Sequence, residues 1–208
     1  MLRSGAQKAA LSILMAMSLA VSAVSISARA LPSSPRAVYR ISKIYSTLEF
    51  SVTKWMVFKE EGLFHEFEGR IVCDPAHPAN SLVEVTAQAA SLDTRGEGRD
   101  HVLRSDDFFD VEKYPTLSFR STQVAAKDSG ALDVAGDLTI HGVTHRITIP
   151  VKVLRVHTVP NAGSYATFET NFTIDRRDYS VLGTRWSGGQ VAIDNTVYIH
   201  LILGGEKQ

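Results

Sequence analysis

Leu132-Asp133-Val134-Ala135-Gly136-Asp137-Leu138-Thr139-Ile140, then His141-Gly142, shows the pattern from which the fold class follows. Leu132, Val134, Leu138 and Ile140 fall on one side of an extended chain, with Asp133, Asp137 and Thr139 on the other, which is the period of a strand wet on one face and dry on the other. His141-Gly142 is turn chemistry, and the same alternation resumes beyond it in Ile147, Ile149, Val151 and Val153. Two such runs across a tight turn predict an antiparallel hairpin.

The pattern extends in both directions from this hairpin. Leu48, Phe50 and Val52 alternate with Glu49 and Ser51, Val83, Val85 and Ala87 with Glu84, Thr86 and Gln88, and Leu117 and Phe119 with Ser118 and Arg120. Ala166, Phe168, Phe172 and Ile174 form another dry face, and Ile193, Val197, Ile199, Leu201 and Leu203 the last. Breaks fall at Asp74-Pro75 with Pro78, Asp128-Ser129-Gly130, Pro160-Asn161-Ala162-Gly163 and Gly183 to Gly189. No long amphipathic helix offers a second layer, so the sheet has to fold over itself to cover its dry faces. Closure also removes exposed edges. The expectation is an all-β, antiparallel barrel of about eight strands, with a packed β-sandwich as the competing architecture.

Arg95 to Asp110 alone interrupts the alternation. Gly96 and Gly98 open it, Ser105-Asp106-Asp107 has the composition of a helix N-cap with an acidic first turn, and Tyr114-Pro115 closes it before the next strand. The spacing predicts one or two short helical turns across an end of the barrel.

Arg3 and Lys8, an uncharged apolar run from Ala9 to Ile26 and Ala28-Arg29-Ala30 have the form of a cleaved export signal over residues 1–30. A membrane anchor is the alternative reading of the same run. Residues 31–37 read as a short tether and 38–204 as the barrel domain. The chain carries 22 basic and 22 acidic residues; loss of Arg3, Lys8 and Arg29 with the leader leaves 19 against 22, a net charge of −3. That balance argues against nucleic acid as a partner. Cys73 is the only cysteine, so packing rather than a disulfide holds the domain, and its alternation with Phe67 and Ile71 reads as a small core hydrophobe. Glu49, Glu84, Arg120, Asp133 and Lys152 lie opposite the dry faces, which argues against an outer-membrane barrel.

One long stretch and three supporting motifs resemble those of the YceI-like family. The most specific runs through Ala90-Ser91-Leu92-Asp93-Thr94, Arg99-Asp100, Leu103-Arg104-Ser105, Asp107-Phe108-Phe109-Asp110 and Tyr114-Pro115-Thr116. The others are Gly62-x-Phe64-x-x-Phe67-x-Gly69 with Gly136 to Thr144, and Ile174-Asp175-Arg176-x-Asp178-Tyr179. Trp55 stands where the family often has a histidine, and Ser42 to Tyr45 where it often has Asp-x-x-His, so roles of those histidines do not transfer. The resemblance implies an exported, lipocalin-like periplasmic barrel that binds a polyisoprenoid lipid without a cofactor.

The pocket lining expected on that reading is Leu48, Phe50, Val52, Phe67, Val85, Phe108, Phe109, Phe119, Leu138 and Phe168. Arg99 and Arg104 are head-group candidates, although ion pairs with Asp100 and Asp110 are a competing use of both. The partner is an isoprenoid lipid or quinone, with a membrane partner and a homodimer left open. Alternation cannot separate a lined cavity from dry faces that close on one another, and the second arrangement would make a structural or interaction barrel of the envelope. No Gly-x-Ser-x-Gly elbow occurs, and no histidine pair has helical ligand spacing; His141 and His145 flank the Gly142 turn, where an approach across the hairpin is the alternative to a pair of exposed turn residues. No enzyme activity and no metal are expected.

Overall fold

Alternation becomes closure through register. In the computed structural model, which describes residues 36–127, 130–161, 163–185 and 193–208, eleven strands form one antiparallel sheet that returns on itself. The expected leader, most of the tether, Asp128-Ser129, Ala162 and the end of the Gly183 to Gly189 break lie outside the described residues. The strands are β1 (Ala37–Ile41), β2 (Thr47–Lys54), β3 (Phe58–Phe64), β4 (Phe67–Cys73), β5 (Leu82–Gln88), β6 (Leu92–Asp93), β7 (Thr116–Ala126), β8 (Ala131–Ile140), β9 (Val143–Val159), β10 (Gly163–Asp175) and β11 (Ile193–Lys207). The order β1-β4-β5-β7-β8-β9-β10-β11 closes by pairing β11 with β1, an eight-stranded barrel.

β2, β3 and β6 branch from this ring. β11 pairs with β1 through Gly205 to Lys207 and with β2 from Ile193 to Ile202, so one long strand serves two partners in succession. The changeover falls at Gly204, where the Ser42 N–H donates to the Gly204 carbonyl (2.8 Å) and the Gly204 N–H donates to Ser46 Oγ (2.9 Å). A Cβ there would lie 2.5 Å from the Tyr45 carbonyl oxygen, so only glycine permits this crossing.

The single α-helix among the described residues, α1 (Glu97–Arg104), precedes the expected cap instead of following it. Gly96 occupies the N-cap without a side-chain hydrogen bond. Ser105 is the C-cap, its Oγ donating to the Val102 carbonyl at 2.7 Å. Serine, which satisfies an N-terminal amide, here satisfies a C-terminal carbonyl, and composition alone does not distinguish the two. Asp106 and Asp107 turn instead to Arg185: the Arg185 N–H donates to the Asp107 carboxylate at 3.0 Å, and its guanidinium pairs with Asp106.

Two buried clusters fill the barrel. One gathers Tyr39, Phe67, Ile71, Val134, Phe168 and Leu203, with Tyr39 edge-on to Phe168 at 6.2 Å. The other gathers Phe108, Leu138, Ile140, Tyr179 and Val181. Phe119, Ile147 and Phe172 touch both.

Candidate functional site

Between the clusters lies a cavity of about 500 Å³ with almost wholly apolar walls. Leu48, Phe50 and Val52 of β2, Val85 of β5, Phe119 of β7, Leu138 of β8, Phe168 of β10 and the pair Phe108 and Phe109 after α1 all line it. The strand period delivers the first seven, and a turn delivers the pair: the Phe108 N–H donates to the Ser105 carbonyl and the Phe109 N–H to the Leu103 carbonyl, both at 3.0 Å. Phe67 does not line the cavity. It is 6% exposed within the first cluster, because alternation fixes which face a side chain takes but not its depth along the barrel.

The signature stretch works as a latch. Asp100, 6% exposed, accepts the Thr94 N–H at 2.9 Å and the Thr94 hydroxyl. Arg99 donates to Thr94 Oγ1 (2.7 Å) and the Thr94 carbonyl (2.6 Å) and pairs with Glu60 of β3. Arg104 donates to the Ala90 carbonyl (2.9 Å) and the Leu92 carbonyl. The expected ion pairs with Asp100 and Asp110 are therefore corrected: Arg99 pairs with Glu60 and serves Thr94, and Arg104 satisfies two main-chain carbonyls. Arg99 lines the cavity and Arg104 does not. Arg104→Ala leaves two carbonyls beside fully buried Leu92 without their donor; a loss of about 1–3 kcal/mol in urea titration, with ligand affinity unchanged, is the expected outcome.

Sequence reasoning missed several polar residues of the cavity wall, among them Thr170, Arg176 and Tyr179. Thr170 of β10 is 5% exposed, and its Oγ1 has no hydrogen-bond partner among the described residues. It sits between Phe168 and Phe172 on the inward face, so the strand period already marks it. Arg176, 7% exposed, donates to the carbonyls of Val181 (2.8 Å), Leu182 (2.6 Å) and Asp194 (3.1 Å). Burial pushes its guanidinium below its ordinary value, with Asp175 acting against that shift. Polar groups thus gather at one region of the wall, where Arg99, Glu60, Lys54 and Arg176 meet the lining.

Tyr179 is the third, 2% exposed, and burial pushes its phenol from 10.0 up to about 12. The fold holds the neutral form, so this contribution to stability is complete below pH 10 and is lost as pH rises through about 12. Tyr179→Phe is expected to flatten the fall in melting temperature between pH 10 and 12 relative to wild type. An identical alkaline limb would show that Tyr179 contributes nothing to it.

Of the two histidines read as exposed turn residues, His145 is exposed and His141 half-buried, and each takes its own partners. His141 packs on the Tyr114 ring (4.5 Å), whereas His145 Nε2 lies 3.0 Å from the Asp178 carbonyl and its ring stands edge-on to Tyr179 (5.1 Å). Burial raises the Cys73 thiol from its ordinary value, as suits a half-buried wall residue rather than a nucleophile.

Among solved structures, BcnA of Burkholderia cenocepacia matches with a TM-score of 0.71 and 26% identity, covering 79% of this chain and 98% of that one. A polyisoprenoid-binding domain from Saccharophagus degradans shares the fold with a TM-score of 0.63 at 19% identity, covering 82% and 98%. A UPF0312 protein of Vibrio cholerae is 35% identical over 137 residues, 66% of this chain and 72% of that protein. Protein YceI of Escherichia coli O157:H7 is 39% identical over 120 residues, 58% and 62% of the two chains. A model of the YceI-like domain, a binding-protein fold rather than an enzyme family, matches residues 39–203, and with the latch, the motifs and all of the barrel but the outer ends of β1 and β11 inside that span, the chain belongs to the YceI-like family.

Proposed function

We propose that this protein binds an amphiphilic isoprenoid, a polyprenyl phosphate or a quinone, inside its barrel and carries or sequesters it in the cell envelope without a covalent step. The observation that carries the reading is the apolar cavity of about 500 Å³, within the roughly 300–1,000 Å³ of small-ligand sites. Burying a five-carbon isoprene unit is worth about 4 kcal/mol at ~0.8 kcal/mol per carbon, before ordering costs are subtracted. Hydrocarbon contact alone therefore supports binding of a prenyl chain. Thr170 Oγ1 and Arg99 supply the few polar contacts such a ligand offers. The family membership and the binding property of the Saccharophagus domain support the ligand class. The leader-like residues 1–30 support export to the periplasm.

Native mass spectrometry of detergent-free protein from its own envelope tests this. A stoichiometric prenyl lipid or quinone released on denaturation is the expected result. A clean apo mass that persists after incubation with polyprenyl phosphates and quinones would overturn it in favour of a self-contained structural barrel.

A further inference from the structure

The β2–β3 hairpin ends in Lys54-Trp55-Met56-Val57-Phe58-Lys59, and its apolar residues are bare: Met56 is 95% exposed, Val57 77%, and Trp55 and Phe58 59% each. Four consecutive large apolar side chains in water form a contiguous patch, which a soluble surface does not carry without use. The turn that presents them is unfavourable in itself. The Val57 N–H donates to the Lys54 carbonyl at 3.2 Å, and both central residues are left-handed, Trp55 at φ +49° and Met56 at φ +61°. That geometry favours Asn-Gly, and bulky side chains there are strained. Strain held by residues that support no core points to a use outside the fold.

Chemistry identifies that use. Trp55 and Phe58 stand edge-on at 6.3 Å, Lys54 lies over the Trp55 ring at 4.5 Å, Lys59 makes a solvent-exposed ion pair with Glu61 at 2.7 Å that a phosphate would replace, and no acidic residue falls between Glu49 and Glu60. Aromatic and aliphatic tips flanked by lysines match the boundary between acyl chains and anionic head groups, where the rings enter the interface and the ammonium groups remain with the phosphates. The patch is also continuous with the cavity wall: Val52 and Lys54 line the cavity from β2, and Glu60 and Glu61 from β3.

We infer that the Trp55 to Phe58 tip is a membrane-docking element that inserts into the interface of an anionic lipid bilayer and brings the polar side of the cavity wall against it. This does not depend on what the cavity holds.

The test uses purified protein with vesicles of phosphatidylcholine, with and without phosphatidylglycerol. Wild type is expected to float with the anionic vesicles, with at least tenfold weaker partition to the neutral ones and a blue shift of tryptophan emission on binding. Trp55→Asn/Met56→Gly supplies the residues the turn favours, so it should fold with an equal or higher melting temperature and lose at least tenfold in vesicle partition. Lys54→Ser/Lys59→Ser should reduce the preference for anionic vesicles while retaining the blue shift. Equal partition of wild type and Trp55→Asn/Met56→Gly, or no vesicle binding by wild type, would overturn the inference. Concentration-dependent dimerisation that this variant abolishes, without vesicle binding, would assign the tip to a second copy and overturn it as well. Cavity loading, measured on the same samples by mass spectrometry, reports separately on the proposed ligand.

Discussion

Arg176→Met is expected to destabilise the barrel by about 3–5 kcal/mol, more than the loss expected of Arg104→Ala. The side chain begins the connection after β10, and its guanidinium reaches the carbonyls of Val181 and Leu182 on one side and of Asp194 on the other, tying two stretches far apart in sequence to one planar group. Methionine keeps the apolar stem and volume but donates nothing, so each carbonyl loses a charge-assisted partner, in a buried bond at Val181 and half-buried ones at Leu182 and Asp194. An orphaned buried acceptor costs about 1–3 kcal/mol, and breaking a buried charged network about 3–5 kcal/mol in total. For a domain of this size that is roughly 6–20 °C in melting temperature. Arg176→Lys should recover only part, because an ammonium lacks the planar fork that spans separated acceptors. A urea midpoint shift worth under about 1 kcal/mol for Arg176→Met, at unchanged slope, would mean that water replaces the guanidinium and that the clamp is not structural.

Leu201→Trp is expected to weaken isoprenoid binding at least 100-fold, about 2.7 kcal/mol, with little loss of stability. Leu201 of β11 pairs with Leu48 on β2 and with Thr170 on β10, and its side chain lines the cavity. An indole placed there occupies the volume a prenyl chain would take. In a solid core the same change overpacks and costs about 1–3 kcal/mol, whereas a real void accommodates it. Melting temperature and ligand loading measured together therefore decide two matters at once. Retained stability with lost loading supports an open, ligand-holding barrel. A large fall in melting temperature with no ligand in either protein supports dry faces closed on one another. Undiminished loading would show that the ligand sits elsewhere.

The sequence carries much of this site because strand alternation is a local property. Phe50, Val85, Phe119, Leu138 and Phe168 face the cavity because each sits at an inward position of its own strand. Thr170 is marked by the same period, but its polarity sets it apart from the apolar residues that define a dry face; a lone hydroxyl there is the most informative departure such a strand offers. Phe67 is on the inward side and still belongs to the solid cluster, because depth in a barrel depends on how eight strands stagger.

Residues 99 to 104 are harder to read. Ion pairs are what a sequence suggests for clustered Arg and Asp, yet Arg104 serves the carbonyls of Ala90 and Leu92, and Asp100 serves Thr94. Backbone carbonyls are the same in every sequence, so nothing in the residue letters signals which of them a guanidinium will meet. The helix begins earlier than its cap signal suggests because Gly96 gives α1 no side-chain cap to recognise, while Ser105 and its acids imitate one.

By itself, the sequence determined an antiparallel all-β domain closed upon itself, its inward faces and its family motifs, because side-chain period and turn chemistry act between near neighbours. Tertiary structure alone decided that β11 serves both β1 and β2, that the two packed clusters leave a cavity between them, and that Arg99, Asp100 and Arg104 latch α1 onto residues 90–94. The first two depend on contacts between residues distant in the chain, whose partners are chosen only when the barrel closes; the latch spans 5 to 14 residues, but its main-chain acceptors leave no mark in the residue letters.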